Sequence, residues 1–369
     1  MKRVNDLFEK IVSFDNLLLA AKKAQKGKRY NSDVARFHVR LEENLIQLSA
    51  ELSSKTYLPG KYRTFHIYDP KERMISAAPY RDRVVHHALC NIIEPIFESG
   101  FIFDSYANRK GKGTHKAIDR YQHYAQKFPY VLKCDIRKFF PSVDLLILKQ
   151  ELERKIKCKD TLWLIQCIID NSNEQEQHLC WFDGDDLFTP LERRKGLPIG
   201  NLTSQFWGNV YLNRMDHWIK EELGVPAYVR YVDDFVLLGN SKRQMWAWKA
   251  ALEDYLAGYR LVLHPNKTQI HQTKDGIPFL GFMTFPHHRY VKKEKIRRYR
   301  RYLNLNLEKR KRRLLQPQTL EDQLNAWLGH IRNGQSQRLE NTIFNYLRRQ
   351  GVELHRWPRG SWRVLEQQR

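Results

Sequence analysis

Two adjacent carboxylates, Asp233 and Asp234, interrupt an otherwise apolar stretch that reads AYVRYVDDFVLLG at residues 227–239. Its β-branched and aromatic residues predict two short strands joined by a turn at the two aspartates. Neighbouring carboxylates repel each other, and burying them is costly unless a cation is present. The stretch therefore predicts either a Mg²⁺ site on a buried hairpin or a solvated turn, where Asp is common.

The composition predicts a polyanionic partner. The chain has 369 residues, enough for two or three structural units, and its 64 Lys and Arg against 41 Asp and Glu give a formal net charge of +23. Nucleic acid is the first candidate partner and an anionic membrane surface the second. Because apolar residues are expected to fill a core, and no run of 18 apolar residues occurs, we expect no membrane association.

Cysteine usage and the N-terminus predict a cytoplasmic protein. The five cysteines are scattered without a Cys-x-x-Cys pair, which favours reduced thiols over structural zinc or a disulfide framework. The first residues lead into an amphipathic segment and not into a signal sequence.

A second carboxylate follows another apolar run, YVLKCDIRKFFPSVD at residues 130–144. The run predicts a strand that ends near Asp135, with Phe139 and Phe140 in the following bend. A lone Asp after a strand is commonly a cap, but a partner at Asp233 would give it a larger role.

Basic and glycine-rich segments surround these strands. Residues 62–68 and 74–79 predict a hairpin that carries Lys71 and Arg73, and Arg81 and Arg83 follow it. Such cations suit a triphosphate, although each alone is more often part of a solvated loop. Residues 106–116 combine glycines with cations, including Arg109, before a helix, which suits phosphate binding.

The remaining pattern is mostly helical. Helices are predicted within residues 5–55, on either side of a loop at 22–29. Further helices are predicted at 82–93, at 145–170, from the glycine-containing segment 195–205 to about 222, and at 241–258. Residues 171–192 are predicted to be irregular, with the acids at 183–186 in a solvated turn, and residues 277–285 to form a strand. Residues 291–315 hold twelve Lys or Arg and two Glu, which favours a helix that tracks a phosphate backbone.

The order of these features resembles the reverse transcriptases from about Tyr62 to Phe285. The YVDD sequence at 231–234 is similar to that family's most diagnostic box, Asp135 with Phe140 to its first catalytic box, and Leu280-Gly281 to its primer-grip region. The resemblance implies an α+β fold shaped like a right hand, with fingers, an antiparallel-sheet palm and a short helical thumb. We expect N-terminal helices and fingers at 1–130, a palm at 131–285 with a fingers or helical insertion at about 145–200, and a basic helical thumb and tail at 286–369.

The resemblance also implies the chemistry. Nucleotidyl transfer uses two Mg²⁺ ions about 3.5–4 Å apart. The expected metal ligands and catalytic groups are Asp135, Asp233 and Asp234, with the backbone carbonyl of Ile136 as a further ligand. The other residues expected to contact nucleotide or template are Arg73, Arg83, Arg109, Phe140 as a gate against the ribose 2′-OH, Ile199, Gly200, Gln205, and Lys267 as a phosphate-neutralising group.

One box resembles a particular branch, the reverse transcriptases of diversity-generating retroelements of bacteria and their phages. Retron and group II intron enzymes carry Gln-Gly, three residues, then Ser-Pro, whereas this chain has Ile199 and Gln205 in place of the Gln and the Pro. The resemblance implies a template-repeat RNA, cDNA mutated opposite adenines, dNTPs and a primer, and a basic pentameric accessory variability protein. Ile199 replaces a hydrogen-bonding side chain by an apolar contact, a difference of about 1 kcal/mol, which suggests a cause of infidelity.

Two alternatives stay open at this point. A retron- or group II intron-type reverse transcriptase would share the aspartates, although no Cys/His endonuclease pattern follows the basic segment. A non-catalytic RNA-binding protein could keep the same fold, although all three acidic positions are present.

Overall fold

The computed structural model describes residues 3–68, 72–173, 175–176, 179–312, 314–352, 354–356 and 362–364. The predicted turn with Lys71 lies outside the described residues. In the described part of the chain, no helix combines the length and the apolar character needed to cross a lipid bilayer.

Fifteen α-helices occur in the described residues, and most of them bury one apolar face. They are α1 Phe8–Val12, α2 Phe14–Gln25, α3 Ser32–Val39, α4 Leu41–Ser53, α5 Tyr80–Glu98, α6 Thr114–Ala125, α7 Phe139–Ser142, α8 Leu145–Glu153, α9 Lys159–Asp170, α10 Thr189–Glu192, α11 Leu202–His217, α12 Lys242–Gly258, α13 Lys293–Lys311, α14 Pro317–Ile331 and α15 Gln337–Arg349. A π-helical turn, Trp218–Glu222, continues α11, and a 3₁₀ turn spans Thr273–Asp275.

Eleven short strands lie between these helices in the described residues. They are β1 Arg63–Ile67, β2 Arg73–Ala77, β3 Tyr130–Asp135, β4 Ala227–Tyr231, β5 Asp234–Gly239, β6 Gln269–Gln272, β7 Ile277–Phe279, β8 Phe282–Thr284, β9 Arg289–Val291, β10 Leu354–Arg356 and β11 Trp362–Val364.

The chain divides into two compact units. The first comprises residues 1–113, 132–237 and 243–269, and the second comprises 114–131, 238–242 and 270–369. This division tests none of the predicted domain boundaries, which stay predictions.

The first unit is built around α5. This helix packs on α1, α2 and α11 and buries residues on its apolar face, among them Val84, Val85, Ala88, Leu89 and Ile93. The two-stranded β1–β2 sheet precedes it, in antiparallel register with Phe65 opposite Ile75. Strands β4, β5 and β3 lie side by side in that order in one sheet. The apolar strands β4 and β5 are almost wholly buried, as their composition predicts.

The second unit joins an antiparallel β7-β8-β9 sheet to basic helices. Helix α13 turns Tyr299, Leu303 and Leu307 inward, and the Tyr299 ring stacks on Trp327 with 4.3 Å between ring centroids. The cations of α13 therefore occupy its remaining faces, as expected of an amphipathic helix.

Three sequence-based predictions were wrong in detail. The predicted loop at 22–29 is helical as far as Gln25, because Ala20, Ala21 and Ala24 continue the buried face of α2. The predicted single strand at 277–285 is two strands, β7 and β8, separated by Leu280 at φ 46° and Gly281 at φ 93°.

The third error concerns the acidic segment at 183–186. Asp185 is not solvated: its side chain is 7% exposed and pairs with Arg193, which is 6% exposed. Asp186 instead accepts backbone hydrogen bonds from Phe188 and Thr189.

Candidate active site

Strands β4 and β5 and the turn between them form a hairpin at residues 227–239, which we call the aspartate hairpin. Its turn consists of Val232 and Asp233. Val232 has φ 57°, in the left-handed region. A β-branched residue rarely adopts this conformation, because its Cβ substituents crowd the backbone. Such a turn persists only if its surroundings hold it.

Asp135 reaches the aspartate hairpin from β3. The Ile136 amide donates to the Asp233 carbonyl at 3.0 Å. On the other edge, His264 N donates to the Asp135 carbonyl at 2.7 Å and Arg137 N to the Val262 carbonyl at 2.9 Å. Because N–H and C=O of one strand residue point to the same side, the Ile136 carbonyl is directed toward the aspartate hairpin.

Two lysines neutralise two of the three carboxylates. Lys267 Nζ lies 2.6 Å from Asp135 Oδ1, and Lys133 Nζ lies 3.4 Å from Asp234 Oδ1. Lys133 and Asp135 share one face of β3, because strand side chains alternate. The sequence analysis did not single out Lys133, although a lysine inside an apolar strand is a usable signal.

Burial and mutual repulsion shift the acidity of the hairpin aspartates. Desolvation, and then the charge of Asp135, raise the pKa of Asp233. Desolvation raises the pKa of Asp234 to about 6, although Lys133 acts in the opposite direction. Carboxylates that resist ionisation in this way would gain from a cation placed among them.

The donor set fits a hard divalent ion. Three carboxylates and one backbone carbonyl are oxygen ligands of the kind that Mg²⁺ prefers, and the buried Asp234 Oδ1 makes no hydrogen bond besides its 3.4 Å ion pair with Lys133. Within the described ranges, however, no three His, Cys, Asp or Glu side chains form a group ready to hold a metal ion. The lysine-paired carboxylates would have to turn toward an incoming ion.

The segment 195–205, which we call the glycine loop, lies against β2. Ser76 N donates to the Ile199 carbonyl at 2.9 Å. Gly200 has φ 120°, and a Cβ built on it would lie 3.2 Å from Ile75 Cγ2. Ile199 is half-buried, and Gln205, in the first turn of α11, is exposed. The structure thus brings Ile199 and Gly200 next to the β1–β2 hairpin.

Phe140 lies at the other end of the glycine loop. Its carbonyl accepts from Leu197 N at 2.8 Å, and its half-buried ring packs beside the buried Phe139 ring at 5.3 Å. Gly208 of α11 leaves room for both rings, because a Cβ there would lie 3.1 Å from Phe139 and 3.6 Å from Phe140.

The three predicted arginines lie in different settings. Arg73 is exposed at the start of β2, and its positive charge opposes the rise in the pKa of Asp233. Arg83, half-buried, donates to the Ala78 carbonyl at 2.8 Å. Arg109 is 7% exposed and donates to Glu98 and to the carbonyls of Ile102 and Ser105, which favours a role in holding its own loop.

A buried polar network behind the aspartate hairpin was missed by sequence reasoning. Arg230 and Asp216 are both fully buried and form a bidentate ion pair. Tyr228 and Asn209 complete the network. The available signal was an arginine inside an otherwise apolar strand.

Comparisons with known proteins concern the family of the chain and not its individual site residues. Residues 68–284 match the family described as reverse transcriptase (RNA-dependent DNA polymerase). Protein YkfC of Escherichia coli K12 is 26% identical over 296 residues, which cover 69% of this chain and 73% of that protein.

Two further relatives are named for introns. The putative COX1/OXI3 intron 2 protein of Saccharomyces cerevisiae is 22% identical over 59% of this chain, and nuclear intron maturase 1 of Arabidopsis thaliana is 28% identical over 26% of it. This chain spans only 25% and 14%, respectively, of these two proteins.

Proposed function

The chain belongs to the reverse transcriptase family, with that family's α+β polymerase fold and RNA-directed DNA polymerase activity, and we propose that Asp135, Asp233 and Asp234 carry out its nucleotidyl transfer. Family membership alone assigns no residue a role. The observation that carries this proposal is the meeting of Asp135 and Asp233: the amide of Ile136, next to Asp135, donates to the Asp233 carbonyl at 3.0 Å, and the charge of Asp135 helps to raise the pKa of Asp233.

The residues would divide the work as follows. The carboxylates of Asp135, Asp233 and Asp234 and the carbonyl of Ile136 would hold the two ions. The chemistry that bound Mg²⁺ would supply is a lower pKa for the primer 3′-OH and stabilisation of the charge of the leaving pyrophosphate. Lys267, now paired with Asp135, and Arg73 add positive charge where phosphates would lie.

Residues around the glycine loop would select the nucleotide. The half-buried Phe140 would lie against the sugar and exclude a ribose 2′-OH, so that dNTPs are preferred. Ile199, Gly200 and Gln205 would lie along the template or the nascent base pair. Arg83 and Arg109 have partners within the protein, which makes them weaker candidates for contacts with the nucleotide.

We propose further that the chain is the reverse transcriptase of a diversity-generating retroelement. The support is the glycine loop, in which Ile199 and Gln205 replace the Gln and Pro of retron and intron enzymes. On this proposal the enzyme copies a template-repeat RNA in the cytoplasm together with a basic pentameric accessory protein, and Ile199 weakens discrimination opposite adenine.

A second candidate is an intron-type reverse transcriptase. The names of the two intron relatives favour it, since one is called a maturase and the other an intron protein. In this case template copying would be faithful.

Primer extension on a defined RNA template, with Mg²⁺ and dNTPs, tests these proposals together when the cDNA is sequenced. Errors concentrated opposite template adenines are the expected result and support the diversity-generating assignment. Faithful, processive copying would overturn that assignment in favour of the intron type. Absence of synthesis, even with structured RNA and a candidate accessory protein present, would contradict the proposed active site.

A further inference from the structure

We infer that Arg230 is a positioning residue for the catalytic aspartates, because its buried guanidinium holds the Val232 carbonyl and thereby the turn that presents Asp233. The inference rests on the proposed role of Asp233. It concerns a residue that touches none of the reacting groups and lies wholly inside the first unit.

The first step is the charge pair that holds the guanidinium in place. Arg230 Nε lies 2.7 Å from Asp216 Oδ1 and Nη2 lies 2.5 Å from Asp216 Oδ2, and both side chains are 0% exposed. Tyr228 donates to the same Asp216 Oδ1 at 2.7 Å. This fork geometry fixes the guanidinium plane as well as its charge.

The second step is what the remaining nitrogen does. Arg230 Nη1 donates to Asn209 Oδ1 at 3.1 Å and to the Val232 carbonyl at 3.3 Å. Asn209 is held in turn, because its Nδ2 donates to the Ala107 carbonyl at 2.8 Å. The network therefore ends on the backbone of the left-handed residue that precedes Asp233.

The third step is that both peptide carbonyls of the turn are held. The Val232 carbonyl accepts from Arg230, and the Asp233 carbonyl accepts from Ile136 N at 3.0 Å, next to Asp135. The backbone of Arg230 is fixed too, since its N donates to the Asp104 carbonyl and its carbonyl accepts from Tyr106 N, both at 2.9 Å. These bonds supply the restraint that Val232 needs at φ 57°.

Stability alone does not account for an arginine at this position. A buried ion pair can often be replaced by apolar residues without loss of stability. What an apolar side chain cannot supply is the donor to the Val232 carbonyl.

The variant Arg230→Lys tests the inference. A lysine can still pair with Asp216, but one ammonium group cannot make the fork and also reach Val232. We expect kcat to fall at least about tenfold, as for a small misplacement of reacting groups, while KM for dNTP stays within about twofold. We also expect Mn²⁺ binding without substrate, followed by electron paramagnetic resonance, to weaken by about tenfold or more, as when residues that orient metal ligands are changed.

Tyr57→Phe is the matched control. Tyr57 is a buried tyrosine that donates to the buried Asp82 at 2.8 Å in another part of the same unit. Losing that bond should lower the melting temperature and leave kcat and Mn²⁺ binding per folded molecule at wild-type values.

A second variant keeps the test decisive if Arg230→Lys does not fold. The double variant Arg230→Met with Asp216→Asn removes the donor to the Val232 carbonyl and leaves no uncompensated buried charge. It should be folded and yet show the same loss of kcat and Mn²⁺ affinity. Wild-type kcat and Mn²⁺ binding in a folded Arg230 variant would overturn the inference, and the proposed active site would still stand if Asp233→Asn were inactive.

Discussion

The aspartate hairpin and the glycine loop differ in the bonds that hold them. Buried side chains hold the aspartate hairpin: Arg230, Asp216 and Asn209 lie behind it and end on the Val232 carbonyl. Backbone bonds hold the glycine loop: Gly196 N donates to the Val143 carbonyl and Leu197 N to the Phe140 carbonyl, both at 2.8 Å. The aspartate hairpin thus has a buried side-chain network in addition to its backbone bonds, whereas backbone bonds position residues 196, 197 and 199 of the glycine loop.

This difference suggests a division of labour. Ions and reacting oxygens need positions fixed to within fractions of an ångström, which an interior network supplies. A surface that meets changing base pairs needs shape and adaptable side chains. Changes in the aspartate hairpin should therefore decide whether synthesis occurs, and changes in the glycine loop should decide which nucleotide is added.

The largest effect is expected for Asp233→Asn. Losing one charged ligand should lower polymerisation by about a thousandfold or more. The melting temperature should not fall, because burial and Asp135 already raise the pKa of Asp233 and the ionised form is disfavoured in the folded state. Primer extension and thermal denaturation measure the two quantities.

Asp183→Asn is the control for that experiment, since Asp183 is an exposed acid in the irregular segment before α10. It should leave both quantities unchanged. If the Asp233→Asn enzyme kept its activity and an ordinary melting curve, the aspartate hairpin would not decide whether synthesis occurs, and its proposed difference from the glycine loop would be contradicted.

Gly200→Ala should show that backbone geometry matters in the glycine loop. Alanine is strained at φ 120°, and its Cβ would lie 3.2 Å from Ile75 Cγ2 and 3.4 Å from the Ser76 carbonyl. We expect the free energy of unfolding to fall by about 1–3 kcal/mol. Chemical denaturation measures it.

Gly224→Ala is the matched control, because Gly224 also has a positive φ, 65°, but a Cβ there meets nothing within 4 Å. It should be less destabilising than Gly200→Ala. Equal losses of unfolding free energy in the two variants would mean that the contact with β2 adds nothing to the cost of Gly200→Ala.

The pH dependence of metal stabilisation sharpens the description of the aspartate hairpin. The pKa of Asp234 is raised to about 6 from its usual value near 3.8, so the folded state holds the proton more tightly. The contribution of this proton to the stability of the folded state is complete below pH 3.8 and is lost as the pH rises through about 6. Above that pH the carboxylate is ionised and available to a cation, whereas below it a proton competes.

We therefore expect Mg²⁺ to raise the melting temperature more at pH 7.5 than at pH 5, with apparent affinity falling by about tenfold per pH unit below 6. Scanning calorimetry with and without Mg²⁺ measures this shift. Asp234→Asn should lose most of the dependence. A Mg²⁺ effect of equal size at both pH values in the wild type would contradict this description.

The sequence predicted the strands of the aspartate hairpin, but it did not predict the buried network that holds their turn. Asp135 and Asp233 follow or interrupt apolar runs, and such runs predict strands and their ends directly. The pairing of Arg230 with Asp216 depends on how β4 packs against α11, and no local periodicity encodes that. For the same reason Arg109, chosen as a nucleotide contact from its glycine-rich neighbours, is engaged with Glu98 and nearby carbonyls.

The smallest expected effect is that of Ile199→Gln. The backbone of Ile199 is fixed by Ser76, so a longer polar side chain can be added without moving the glycine loop. A glutamine would offer a hydrogen bond near the template base worth about 1 kcal/mol, or several-fold in selectivity. Errors opposite template adenine should fall by that factor, whereas Ile199→Leu, which stays apolar, should keep the wild-type error spectrum. Sequencing of cDNA from one template measures both variants, and an unchanged spectrum for Ile199→Gln would show that the identity of this side chain does not set fidelity.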